Sequence, residues 1–291
     1  MKPNKTVLLV VNPISGDEDK AELIEAVTDF ATAKNIDLEV YETTGDDDEQ
    51  NILELQKKVN AERVLVAGGD GTVKMVAEAL HDLEVIIGIL PAGSANGLAV
   101  DLGLPDDMLE NIKIAFENDA MEMDMVCING KKSLHLSDVG LNAELVKNYE
   151  NSSIRGKLGY ALQAITTLAE RNGPFLAKIS ANGENIETEA RMIVIANSQK
   201  YGTGVVINPD GKMNDGNFEI VILKNLDIVV FTKILAGNIP VESGDVEIIS
   251  TQKAVIETEK PVSFQVDGEY CEEVSRLDIS ILKNQMKVAV P

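Results

Sequence analysis

The chain has 291 residues, 44% of them hydrophobic and 25% charged, enough for about two domains of roughly 150 residues each with cores that need no disulfide or metal. Its formal net charge of -22 argues against nucleic acid as a partner and against standing attraction to anionic lipid, because both would be repelled. The two cysteines, Cys127 and Cys271, are far apart and lack Cys or His neighbours at ligand spacing, so they read as buried thiols in a reducing, cytoplasmic setting.

In chain order, Val7–Val11 is too short an apolar run for a signal-peptide core or a membrane span, and a first strand is expected over Thr6–Val11. No apolar stretch reaches the ~20 residues a transmembrane helix needs, so no such segment is expected. Lys20–Lys34 has helical apolar spacing, through Leu23, Ile24, Val27, Phe30 and Ala31. A strand follows at Leu38–Thr43, then a helix at Asp48–Val59, which the acidic run Asp46–Glu49 opens as a solvated start suited to the helix dipole. Next come a strand at Arg63–Ala67, a helix at Thr72–His81, a strand at Val85–Leu90 and a helix at Asp107–Glu117. Strands alternating with helices imply a parallel sheet covered on both faces.

Beyond about residue 123, short strands separated by turn signals such as Asn129-Gly130, Asn182-Gly183 and Asp210-Gly211 take over. They are expected at Met123–Asn129, Ser133–Val139, Phe175–Ala181, Glu187–Ala196, Phe218–Leu223, Ala254–Glu257, Val262–Val266 and Leu277–Leu282. Helices are expected at Leu158–Glu170 and Asp227–Leu235. The fold class is therefore an α/β domain with a parallel sheet, residues 1–125, followed by a β-sandwich, residues 126–291; the last strand, Met286–Val290, fits either domain. Charge follows the same division. Residues 1–128 hold 9 Lys and Arg against 27 Asp and Glu, a balance of -18, and the remainder carries -4, which makes the second half the better candidate for any membrane contact.

The strongest local signal is Gly68-Gly69-Asp70-Gly71-Thr72, which ends a strand and opens a helix. Glycines let the backbone approach an anion, and the helix start behind them supplies N–H groups and positive dipole. No Gly-Lys-Ser/Thr follows, and the spacing does not match GxGxxG. Asn12-Pro13-Ile14-Ser15-Gly16 and Pro91-Ala92-Gly93-Ser94-Ala95-Asn96-Gly97 end two other strands of the same sheet. If strands one, three and four are neighbours, the three turns line one cleft. The two histidines, His81 and His135, fall in helical and strand contexts and read as structural, which disfavours a Ser-His-Asp hydrolase.

The three turns together resemble the catalytic domain of the diacylglycerol kinase family, which includes bacterial lipid kinases and sphingosine and ceramide kinases. The resemblance continues through Ser137-Asp138-Val139-Gly140-Leu141-Asn142-Ala143, Arg155-Gly156-Lys157-Leu158-Gly159-Tyr160, Ala196-Asn197, Met213-Asn214-Asp215-Gly216-Asn217-Phe218 and Val266-Asp267-Gly268-Glu269, in family order over nearly the whole chain. It implies an ATP- and Mg2+-dependent kinase that phosphorylates a lipid with a free hydroxyl, touches membrane surfaces transiently and is compatible with a homodimer. By motif, Asn12, Ser15, Gly16, Thr43, Gly68, Gly69, Gly71, Thr72, Val73, Lys74, Ser94 and Asn96 are expected at ATP. Glu269 is implied as the proton acceptor with Asp70 as the second choice, either as base or as a holder of Mg2+. Asp215 is implied as a magnesium ligand with the carbonyls of Lys212 and Asn217.

A carboxylate is a weak base for an alcohol, so it would orient the hydroxyl and take its proton late in the transfer. Three departures from the family pattern stand out: Asp17-Glu18-Asp19 before Lys20, Lys74-Met75 after the glycine turn, and Asn96-Gly97 in the third turn. They leave Lys74, Arg155 and Lys157 as candidate cations for the phosphates. Two alternatives stay open: an NAD kinase-like enzyme, whose relatives share Gly-Gly-Asp-Gly-Thr, and a non-catalytic lipid-binding relative.

Overall fold

The computed structural model describes residues 5–16, 19–94, 96–140, 173–201, 205–225 and 244–291, with Ile234, Gly237, Ile239 and Val241. The helix expected at 158–170, the segments 141–143 and 155–160, and the helix expected at 227–235 apart from Ile234 lie outside the described residues. The chain divides into two compact units, residues 1–123 with 284–291, and residues 124–283.

The first unit alternates β1 (Thr6–Val11), α1 (Ala21–Ala33), β2 (Asp37–Glu42), α2 (Asp48–Val59), β3 (Arg63–Gly68), α3 (Asp70–Ala79), β4 (Ile86–Pro91), α4 (Gly97–Asp101) and α5 (Met108–Glu117). The strands pair in parallel in the order β2-β1-β3-β4. β1 and β3 are buried almost along their length, as strands covered on both faces must be. Side chains alternate across the sheet, so Val7, Leu9 and Val11 of β1 and Leu65 and Ala67 of β3 share one face. There they pack with Val27 and Ala31 of α1 and Ile112, Ala115 and Phe116 of α5. α2 and α3 pack against β1 and β3.

The second unit is antiparallel. It begins within β5 (Ala120–Ile128) and continues through β6 (Lys131–Ser133), β7 (Leu136–Gly140), β8 (Phe175–Ala181), β9 (Glu184–Ala190), β10 (Met192–Ala196), β11 (Lys200–Tyr201) and β12 (Val205–Val206). β13 (Phe218–Leu223), β14 (Val246–Thr251), β15 (Lys253–Val266) and β16 (Glu269–Ala289) complete it. Strands β14, β13, β10, β7, β15 and β16 pair in that order, and β8 with β9 joins β15. Phe218, Phe264, Ile193, Ile195, Ile220 and Ile222 lie in its main core. The end of β16 belongs to the first unit, where Lys287 and Val288 pair in parallel with Ile86 and Ile87 of β4. The fold is thus an α/β domain with a parallel sheet and a β-sandwich-like domain.

Several expected elements differ in detail, each for a visible reason. The strand expected at Ser133–Val139 is two strands, because the N–H groups of Leu134 and His135 donate to the Asp267 carboxylate at 3.1 and 3.0 Å. The strand expected at Glu187–Ala196 divides at Arg191 and changes partners, from β8 before it to β7 and β13 after it. Ala254–Glu257 and Val262–Val266 are one strand, with a register shift between Glu257 and Val262 that accommodates Pro261 and its missing N–H. Cys127 and Cys271, expected to be buried, are each partly exposed.

Candidate active site

The parallel ladders deliver three turns side by side. Asn12 N–H donates to the Ala67 carbonyl at 2.9 Å, and Ala92 N–H donates to the Gly68 carbonyl at 3.0 Å, so the pairing of β1 with β3 and of β3 with β4 runs on to the first residue of each turn. Beyond that point the turns touch. Asn12 Nδ2 donates to Thr72 Oγ1 at 3.0 Å, joining the first turn to the start of α3. Gly16 has φ +62°, and a Cβ there would stand 2.9 Å from the Ala92 carbonyl oxygen, so glycine is needed for both conformation and approach. A Cβ on Gly93 would stand 2.5 Å from the Gly69 Cα, which makes the contact between the second and third turns backbone to backbone.

Each turn is also internally fixed. Asn12 Oδ1 accepts from Ile14 N–H at 3.2 Å, and the Ser15 N–H donates to the Asn12 carbonyl at 3.3 Å. Asn96, in the left-handed region at φ 52°, brackets Gly93 by accepting its N–H at 2.8 Å and donating to its carbonyl at 2.9 Å. The N–H groups of Thr72 and Val73 both donate to the Gly69 carbonyl, the Val73 side chain is buried, and the N-cap residue of α3 is Gly69, which has no side chain to cap it. The N–H groups of Asp70 and Gly71 come before these two bonds, at the end of α3 where the helix dipole is positive. Gly71 is exposed, Lys74 is the fifth residue of α3, and Ser94 is exposed on the third turn.

Asp70 does something its sequence position conceals. Its two carboxylate oxygens accept from Gly97 N–H at 2.8 Å and Leu98 N–H at 3.0 Å, capping the short helix α4 from the opposite turn. The α4 helix itself was not expected, since its cap is 27 residues away. Thr43 N–H continues from β1, donating to the Val11 carbonyl at 2.8 Å. Thr43 lines a cavity of about 290 Å3 together with Asn12, Gly71, Thr72 and Met75. In the expected solvated acidic run, Asp48 is instead buried and accepts four hydrogen bonds, while Asp46, Asp47 and Glu49 are exposed. Its donors are Tyr41 in β2 and Thr44 and Gly45 in the bend that follows, and the acidic composition of the run gives no sign of them.

In the second unit Glu269 is exposed at the start of β16, just past a tight turn with Asp267 at φ 49°. That turn is anchored inward. Asp267 accepts from Ser133 Oγ at 2.8 Å as well as from Leu134 and His135, and Gly268 N–H donates to Gln265 Oε1 at 2.6 Å. Gln265 in turn donates to the buried Asp138. His135 is structural here, its Nδ1 lying 2.6 Å from Ser198 Oγ in the interior.

The implied magnesium donors form a turn of their own. Asp215 Oδ1 accepts from Asn217 N–H at 2.9 Å, and Asp124, 1% exposed, fastens the turn by accepting from Gly216 N–H at 2.8 Å. Asp124 is a residue the sequence reading missed, though an acid inside the apolar run Met123–Ile128 was a signal. One carboxylate and two carbonyls are hard oxygen donors, the chemical type that Mg2+ prefers. The Lys283 side chain lies over Gly216 in the same turn. Among the described residues, no group of three or more His, Cys, Asp or Glu is placed to hold a metal.

Comparison with known proteins agrees with this layout. The model for the diacylglycerol kinase catalytic domain matches residues 6–128, and that for the YegS C-terminal NAD kinase beta sandwich-like domain matches residues 137–290. The diacylglycerol kinase of Bacillus subtilis is 25% identical over 275 residues, covering 91% of this chain and 90% of its own. The "Probable lipid kinase YegS" of Salmonella arizonae is 26% identical over 270 residues, covering 90% and 88%. A crystal structure of a Bacillus anthracis protein assigned as a diacylglycerol kinase superposes with a TM-score of 0.82 at 25% identity, covering 99% of this chain and 97% of that one. The chain thus joins a diacylglycerol kinase catalytic domain to a YegS C-terminal NAD kinase beta sandwich-like domain and belongs with the lipid kinases.

Proposed function

We propose that the protein transfers the γ-phosphate of ATP, as its magnesium complex, to a free hydroxyl of a diacylglycerol- or sphingoid-like lipid. The observation that carries the reading is the meeting of three glycine-bearing turns at the uncapped start of α3. Phosphoryl transfer asks chiefly for positioning and charge stabilisation, and such a cradle provides N–H groups without requiring a covalent intermediate. In this reading Asn12, Ser15, Gly16, Gly68, Gly69, Gly71, Thr72, Val73, Lys74, Ser94 and Asn96 surround the phosphates, and Thr43 faces the rest of the nucleotide.

Glu269 is assigned as the acceptor of the lipid hydroxyl proton. It is exposed on an anchored turn, whereas both oxygens of Asp70 already serve the third turn. Asp70 is accordingly assigned to holding the cradle, with its remaining lone pairs available to Mg2+. Asp215 with the carbonyls of Lys212 and Asn217 would hold a second, structural Mg2+. Bound magnesium would neutralise phosphate charge that a unit so rich in acids cannot.

The test is γ-labelled ATP supplied with diacylglycerol, a sphingoid base or NAD in parallel, followed by extraction of the labelled product. Label in the organic phase with one of the lipid alcohols is expected. Label on NAD would turn the reading into an NAD kinase, and saturable ATP binding without turnover on any acceptor would make the protein a non-catalytic relative.

A further inference from the structure

The turn after β2 is shaped by one buried side chain. Asp48, 7% exposed, accepts from Thr44 N–H at 2.9 Å, Gly45 N–H at 2.8 Å, Thr44 Oγ1 at 3.3 Å and the Tyr41 hydroxyl at 2.7 Å. Three of these four donors belong to the two residues at the bend. Packing contributes little there: Thr44 is exposed, and a Cβ added to Gly45 would meet nothing within 4 Å. The backbone nevertheless takes two uncommon conformations in this stretch, Gly45 at φ +90° and Asp47 at φ +52°. Hydrogen bonds to a single carboxylate therefore hold the bend at Thr44 and Gly45.

The same turn is one wall of the 290 Å3 cavity, whose other walls bring Asn12 from the first phosphate turn and Gly71 and Thr72 from the second. A space of that size suits part of a nucleotide rather than all of it. Because Thr44 and Gly45 spend their N–H groups on Asp48, those donors are withdrawn from the cavity and the wall keeps one shape. We infer that Asp48 is a positioning residue for the nucleotide: it builds the Thr43–Gly45 wall before the ligand arrives, so binding does not bear the entropy of ordering it. The inference rests on the reading of this site as an ATP site.

The experiment is steady-state kinetics combined with direct binding of a fluorescent ATP analogue, on wild type, Asp48→Asn and Tyr41→Phe. Asp48→Asn keeps the size of the side chain but loses its charge and turns an N–H2 toward backbone donors. It is expected to raise the KM and Kd for nucleotide about 10-fold, the scale of one charge-assisted hydrogen bond. The kcat should stay within about 2-fold, and the KM for the lipid should not move. Tyr41→Phe removes one of the four bonds from outside the cavity and should raise the nucleotide KM about 2- to 3-fold, which keeps the test intact if the Asn variant fails to fold.

An unchanged nucleotide KM in the folded Asp48→Asn variant, or in Tyr41→Phe, would overturn the inference. So would an equal fall of apparent kcat and of kcat/KM for both substrates with both KM values unchanged, since a merely structural residue changes only the folded fraction. A wild-type protein that binds no nucleotide would instead sink the ATP reading on which the inference depends.

Discussion

Asp70 and Asp267 both follow or precede a glycine, and both turn their carboxylates onto main-chain N–H groups of another segment: Asp70 onto Gly97 and Leu98, Asp267 onto Leu134 and His135. Glu269, two residues past Asp267, is exposed and takes the chemical role in our account. Replacing Glu269 with Gln should lower turnover at least ~100-fold with little change in ATP affinity. Asp70→Asn should also lower turnover at least ~100-fold, but here ATP affinity should fall as well, because the amide disturbs the third turn. Single-turnover kinetics beside ATP titration separates the two. Asp48 adds a pH signature. Burial alone would raise its pKa, but the Thr44 N–H, Tyr41 hydroxyl and Gly45 N–H bonds outweigh burial and hold it below the ordinary value, while burial and then Asp48 itself push the Tyr41 hydroxyl up. A carboxylate with a depressed folded pKa contributes stability that is fully present above the unfolded value, about 3.9, and is lost as pH falls through the folded one. Chemical denaturation from pH 5 downward should therefore show a shallower acid loss in Asp48→Asn than in wild type, on the order of one hydrogen-bonded carboxylate.

Elements carry the geometry that the residues use. Parallel pairing in the order β2-β1-β3-β4 places the ends of β1, β3 and β4 next to one another, and the glycines allow the turns beyond to close on each other. Gly93→Ala tests that closure, because its methyl group would stand 2.5 Å from the Gly69 Cα and force the second and third turns apart. ATP affinity should fall at least ~10-fold, while thermal unfolding without nucleotide shifts by only a few degrees. Most of this architecture was legible in the sequence because it is local. Helical spacing in Lys20–Lys34 and Asp48–Val59 and the buried runs of β1 and β3 set the elements to within a residue or two. What was not legible depends on partners distant in the chain. The α4 helix is capped by Asp70, the break before β7 is made by Asp267, and β14 exists as the partner of β13. At the site the glycine turns announced themselves by composition. The buried roles of Asp48 and Asp124 did not, since an acid looks the same in sequence whether water or a backbone N–H surrounds it.

For the molecule as a whole, charge and chemistry pull in different directions. The first 128 residues carry a balance of -18, yet our account brings a polyanion to them. Main-chain N–H groups and a helix start resolve that conflict locally, because they attract phosphate without altering the formal charge. No described helix is long and apolar enough to cross a membrane. The account stands or falls on whether the three turns hold one nucleotide together. Amide hydrogen exchange with and without Mg-ATP reads this directly. Peptides covering Asn12–Gly16, Gly69–Lys74 and Gly93–Asn96 should gain protection in the same nucleotide titration, with a single shared midpoint. Protection confined to one of these turns, or appearing only elsewhere in the chain, would contradict it.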